Sequence, residues 1–123
     1  MSGGPAGAPS QWASVIEAHR PQYADPIGVS AGETVRVHRE DEGYPGWWWC
    51  TASDGREGWV PLEVLQGRVV AGARAHLLAD YDASDLAVTV GELVSIERET
   101  RGWAYVRNSA GRRGWVPATH LRA

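Results

Sequence analysis

Trp47, Trp59 and Pro61 recur fifty-six positions later as Trp103, Trp115 and Pro117, with unchanged spacing inside each set. Flat aromatic rings beside a rigid proline suit a non-covalent binding surface, not bond-making chemistry. The groups that could make or break bonds are thinly spread. His19, His38, His76, His120 and Cys50 fall at no metal-ligand spacing. No Ser/His/Asp set, paired carboxylates or phosphate loop occurs, and the glycines sit in turns. The expectation is therefore no catalytic residue, no metal and no cofactor: a non-enzymatic binding protein.

The aromatic residues lie in a sixteen-residue stretch that occurs twice, Gly46 to Pro61 and Gly102 to Pro117, with nine positions identical. Each copy reads as an aromatic strand, a turn and a second strand opened by Gly-Trp-Val-Pro, the form of a β-hairpin. Ser53-Asp54-Gly55 and Ser109-Ala110-Gly111 suit three-residue loops whose glycine takes a positive φ. That loop sets the register. It pairs Trp48 with Val60 and Cys50 with Gly58 on a core face, and Trp47 with Pro61 and Trp49 with Trp59 on the other. In the second copy Ala104, Val106 and Val116 share the core face, opposite Trp103, Tyr105, Trp115 and Pro117. The aromatic face is the candidate binding surface, with Trp47 and Trp103 expected to be exposed on it.

The repeat implies two small domains of about sixty residues, each burying only about 60% of its unfolded surface. One cysteine rules out an internal disulfide, and Cys50 stands at a core position matched by Val106. The N-terminal residues lack the basic start and apolar run of a signal peptide, and no stretch reaches membrane-spanning length. A cytoplasmic protein without a membrane partner is expected. All twelve basic residues are Arg, a bias that suggests a GC-rich bacterial genome. Residues 1–66 carry four Arg against nine acids, a net −5; residues 67–123 carry eight Arg against six acids, a net +2. This balance gives no case for a nucleic-acid partner.

In chain order, residues 1–11 read as a disordered tail. Ala13–His19 aligns without gaps to Ala75–Tyr81 as an opening strand. Ile27–Val29 matches Leu86–Val88, and the alternating Val35, Val37 matches Val94, Ile96. Pro61 and Pro117 are followed by pieces suited to a 3₁₀ turn and a closing strand. The first copy has three extra residues in each of two loops and none in its strands. The expected domains are 12–66 and 73–123, joined by a short linker at 67–72.

This order of five short strands, with Gly-Trp at the third and Gly-Trp-Val-Pro at the fourth, resembles the Src-homology 3 (SH3) domain. The tandem looks like a bacterial variant of that family. In the second copy Leu77-Leu78-Ala79-Asp80-Tyr81 occupies the place of the family's opening motif. The resemblance implies an all-β fold, two five-stranded barrels in tandem, and an aromatic groove for left-handed polyproline peptides. The implied groove residues are His19, Asp25, Trp47, Trp59 and Pro61 in copy one, with Tyr23 beside them. In copy two they are Tyr81, Asp85, Trp103, Trp115, Pro117 and His120. The family's first tyrosine is replaced by Glu17 and Ala79, and its last by Val64 and His120.

The reading that follows is an interaction module for an extended, proline-containing, basic peptide segment. Copy one, with Tyr23, Asp25 and the acidic Glu40-Asp41-Glu42, is expected to be the better site. Two alternatives share the fold: a pair of cell-wall-binding domains, or a regulatory subunit whose aromatic faces form a permanent interface.

Overall fold

The computed structural model describes residues 11–123, so the tail expected at 1–11 lies outside the described residues apart from Gln11, which opens the first strand. The strands are β1 (Gln11–Val15), β2 (Gly28–Val29), β3 (Thr34–Glu40), β4 (Trp47–Thr51), β5 (Glu57–Pro61) and β6 (Leu65–Gly67). They continue with β7 (Arg74–Leu77), β8 (Tyr81–Asp82), β9 (Leu93–Thr100), β10 (Trp103–Arg107), β11 (Arg113–Pro117) and β12 (Leu121–Arg122). Single 3₁₀ turns, Leu62–Val64 and Ala118–His120, follow the two Gly-Trp-Val-Pro strands.

The hairpins have the register that their loops demand. Trp47 faces Pro61, Trp48 faces Val60, Trp49 faces Trp59 and Cys50 faces Gly58. Trp103 faces Pro117, Ala104 faces Val116, Tyr105 faces Trp115 and Val106 faces Gly114. Gly55 and Gly111 stand at φ 88° and 86°, a region closed to most side chains, and their N–H groups close the turns on Ala52 and Asn108 at 3.0 Å. Cys50, Val60, Ala104, Val106 and Val116 are all fully buried.

The compact units do not coincide with the sequence repeats. One unit comprises residues up to Pro21 together with Asp85–Ala123; the other comprises Gln22–Ser84. In the first, the sheet order is β11-β10-β9-β1-β12; in the second it is β5-β4-β3-β7-β6, with β2 paired to β8. The opening strand of copy one, β1, thus lies between β9 and β12 of copy two. The opening strand of copy two, β7, lies between β3 and β6 of copy one. We call these units the exchanged-β1 unit and the exchanged-β7 unit.

Chain connectivity supplies the physical reason. The segment expected to be a linker is the connection of a hairpin: β6 turns back into β7 across residues 68–73. Ala73 N–H donates to the Val70 carbonyl (3.1 Å), with Gly72 at φ 87°. A six-residue connection loses little closure entropy, so β7 takes the nearest vacant edge beside β6. The two opening strands have interchangeable patterns, with Ala13 and Val15 buried in one and Ala75 and Leu77 in the other. Either strand fits either position, and β1 completes the remaining sheet.

Each unit has its own apolar interior. In the exchanged-β1 unit Val15 packs with Leu86, Val88, Val94, Ala104, Val106 and Val116. In the exchanged-β7 unit the buried residues include Ile27, Val29, Val35, Val37, Cys50, Val60, Leu65, Ala75 and Leu77.

Candidate functional site

Strand exchange redistributes the groove residues. In the exchanged-β1 unit His19 follows β1 and forms an isolated bridge with Val88. Its Nε2–H donates to Asp85 Oδ2 at 3.0 Å, so His19 belongs with the copy-two residues and not with Trp47 and Trp59. The imidazole meets Trp103 edge-on at 5.6 Å and His120 at 5.7 Å. Glu17, carried on the same segment, approaches His120 Nε2 at 3.5 Å. Asp85 bridges to Trp115, whose carbonyl accepts the Leu86 N–H at 3.1 Å. Trp115 and Pro117 are buried, whereas Trp103 and His120 are half-buried. His120 Nδ1 is buried without a hydrogen-bond partner among the described residues.

In the exchanged-β7 unit Tyr81 takes the equivalent position. It is buried, and its hydroxyl donates to the Trp59 carbonyl at 2.7 Å. Tyr81 was expected beside Trp103 and Trp115; the exchange of β7 carries it to Trp59 instead. Pro61 is fully buried, and Trp47 is only 5% exposed, so the expectation of an exposed Trp47 is corrected. Parity put Trp47 on the outer face of its hairpin, but parity alone does not set accessibility.

The open aromatic surface of this unit lies further along the hairpin. Tyr23 is 46% exposed and its ring sits 5.3 Å from that of Trp49. Trp49 in turn meets Trp59 edge-on at 5.0 Å, as cross-strand partners on one face do. The Arg39 guanidinium lies 5.7 Å from the Trp49 ring and 4.9 Å from the Trp59 ring. Arg98 repeats this over Tyr105 and Trp115. The guanidinium caps were missed in the sequence, although the facing Trp49–Trp59 pair was legible in the register.

Asp25, two residues along the chain from Tyr23, has its side chain 77% exposed and lies 3.6 Å from Arg56 Nη1. Arg56 anchors the loop that carries Asp25, donating to the carbonyls of Pro26 and Gly28, both at 3.3 Å. It also binds Asp54 at 3.0 Å. The Arg56 backbone N–H, then its side chain, holds the Asp54 carboxyl below the usual carboxylate range. The Cys50 thiol is buried, and desolvation pushes its pKa up to about 12. Among the described residues no group of three His, Cys, Asp or Glu could hold a metal ion.

Two five-stranded sheets, each with a hairpin of Trp/Pro parity and a following 3₁₀ turn, define SH3-like β-barrels. The chain belongs to the variant SH3 domain family, whose pattern matches residues 12–67 and again 77–123. It is also similar to SH3 and PX domain-containing protein 2B from Homo sapiens, 25% identical over 122 residues. The Mus musculus protein of the same name is 24% identical over the same length. Each match covers 88% of this chain but 13% of the relative, so the chain spans about an eighth of those proteins. SH3 domains are protein-interaction modules, and a binding role follows for this tandem.

Proposed function

We propose that the exchanged-β7 unit binds an extended, basic, proline-containing segment of a protein partner. The carrying observation is the run Tyr23–Trp49–Trp59, with the exposed Asp25 carboxylate on the same loop as Tyr23. A polyproline ridge is ordered before binding, so flat rings hold it at little entropic cost. An Arg or Lys of the ligand meets Asp25 at the same time. The unit's charge favours such a ligand: residues 22–84 hold ten acids against five Arg, a net −5. Residues 1–21 with 85–123 hold five acids against seven Arg, a net +2, and their loop carboxylate Asp85 is already engaged by His19. A cytoplasmic setting belongs to the same proposal, supported by the single buried thiol of Cys50.

The test is a titration of an Arg/Pro-rich peptide library against the wild-type chain, Tyr23→Ala, Asp25→Asn and Trp103→Ala. Tyr23 is exposed, so its truncation reads contact and not folding. Tyr23→Ala is expected to weaken binding about tenfold, as loss of an aromatic anchor does. Asp25→Asn should weaken it by about fivefold or less, the range of an exposed ion pair. Trp103→Ala should leave it unchanged. Binding abolished by Trp103→Ala and untouched by Tyr23→Ala would move the site to the other unit.

A further inference from the structure

A second feature of the exchanged-β7 unit lies away from Tyr23 and Asp25. Four side chains stand in register across its sheet: Arg74 on β7, Arg36 on β3, Thr51 on β4 and Glu57 on β5. Two guanidiniums directly opposed on neighbouring strands repel each other, and such a pair destabilises a sheet unless something neutralises it. Two other arginines of this unit have partners: Arg56 pairs with Asp54 and Asp25, and Arg39 lies over two indoles. The side chains of Arg36 and Arg74 have no hydrogen bond, ion pair or ring contact among the described residues. Both are exposed.

The nearest carboxylate in the row is already engaged. Thr51 Oγ1–H donates to Glu57 Oε2 at 2.8 Å, and Thr51 Oγ1 accepts from His38 Nε2–H at 2.6 Å. Thr34 Oγ1 is likewise joined to His76 Nδ1 at 3.1 Å. Arg36 and Arg74 line a cavity of about 490 Å³ with Thr34, His38, Thr51 and Ser53, and with the apolar Val35 and Ala52. The Ser53 hydroxyl has no partner among the described residues. Two arginines and one hydroxyl therefore line a single cavity, and no acceptor among the described residues uses their side chains.

We propose that this cavity is a phosphate-monoester site, with Arg36 and Arg74 gripping the phosphoryl oxygens and Ser53 donating from the hairpin loop. Planar guanidiniums match oxyanions by paired N–H···O bonds, and a doubly charged phosphate relieves the repulsion between them. A single carboxylate from the ligand would neutralise only one of the two. The phosphate could be carried by a phosphorylated side chain or by a small phosphorylated molecule; the chemistry is shared.

The test uses the full chain, followed by backbone and Arg side-chain NMR at constant ionic strength. Inorganic phosphate and two versions of one peptide, with and without a phosphoserine, are titrated into the wild type and into Arg36→Gln/Arg74→Gln. Phosphate-dependent shifts should centre on Arg36, Arg74 and Ser53. The double variant should lose about tenfold or more in phosphate affinity, the loss expected for charge-assisted bonds. Its thermal midpoint should be equal or higher, since the repulsion is gone, which separates lost binding from lost folding. A phosphopeptide binding more tightly than inorganic phosphate assigns the side-chain source; equal affinity assigns the small-molecule source. Phosphate affinity unchanged in the double variant, or shifts spread over Arg107, Arg112 and Arg113, would overturn the proposal.

Discussion

Val15 provides a direct test of the strand exchange. It belongs to copy one by sequence, yet it is 1% exposed in a cluster whose other buried members are copy-two residues. Its N–H donates to the Glu92 carbonyl at 2.9 Å, and its carbonyl accepts from Gly91 at 2.8 Å. Val15→Ala removes two methyl groups at about 0.8 kcal/mol each, and the cavity left behind raises the cost to about 2–3 kcal/mol. In a unit of some sixty residues that is a large share of a total stability near 5 kcal/mol. Native-state hydrogen exchange reads the effect residue by residue. Amides of Val94, Val106 and Val116 should exchange about 30-fold faster or more, while those of Val37, Cys50 and Val60 keep their protection. Leu77→Ala, in the copy-two strand β7, should do the reverse, at a cost of about 2–5 kcal/mol. Loss of protection at Val37, Cys50 and Val60 in Val15→Ala would show that β1 folds onto its own copy, and the exchange would be refuted. Equal loss in both sets would refute the claim that each opening strand serves one unit.

Two other perturbations have definite outcomes. A Cβ on Gly114 would come within 2.6 Å of the Leu86 nitrogen and 2.8 Å of the Asp85 carbonyl carbon. Backbone cannot yield as a side chain can, so Gly114→Ala should lower stability by about 1–3 kcal/mol, measured by denaturant unfolding. Gly111→Ala meets open space but keeps φ at +86°, and about 1 kcal/mol of strain is expected. The Cys50 thiol ionises near pH 9 when unfolded and near 12 when folded. The unfolded chain therefore holds fewer protons between these values, and stability should fall as pH rises from 9 towards 12. Cys50→Val should remove that component of the decline; an identical pH profile in the variant would mean that the thiol does not contribute.

The residues themselves determined much of this protein. Gly55 and Gly111 specify three-residue loops, and a loop of known length sets every cross-strand pair from Trp47–Pro61 to Val106–Gly114. Period-two alternation then places Cys50, Val60, Ala104 and Val116 inside, and a proline before each 3₁₀ turn marks where the hairpin ends. All of this rests on interactions a few residues apart or on strict parity, which is why the SH3-like barrel was legible. The accessibility of Trp47 was not, because parity names a face without saying what covers it. Nor was the grouping of His19 with Asp85 and Trp103, or of Tyr81 with Trp59. Ala13-Ser14-Val15 and Ala75-His76-Leu77 carry the same buried pattern, so local sequence cannot choose between two equivalent edges. That choice belongs to the folded chain as a whole: the short connection from β6 returns β7 to its nearest partner, and the edge left beside β12 takes β1.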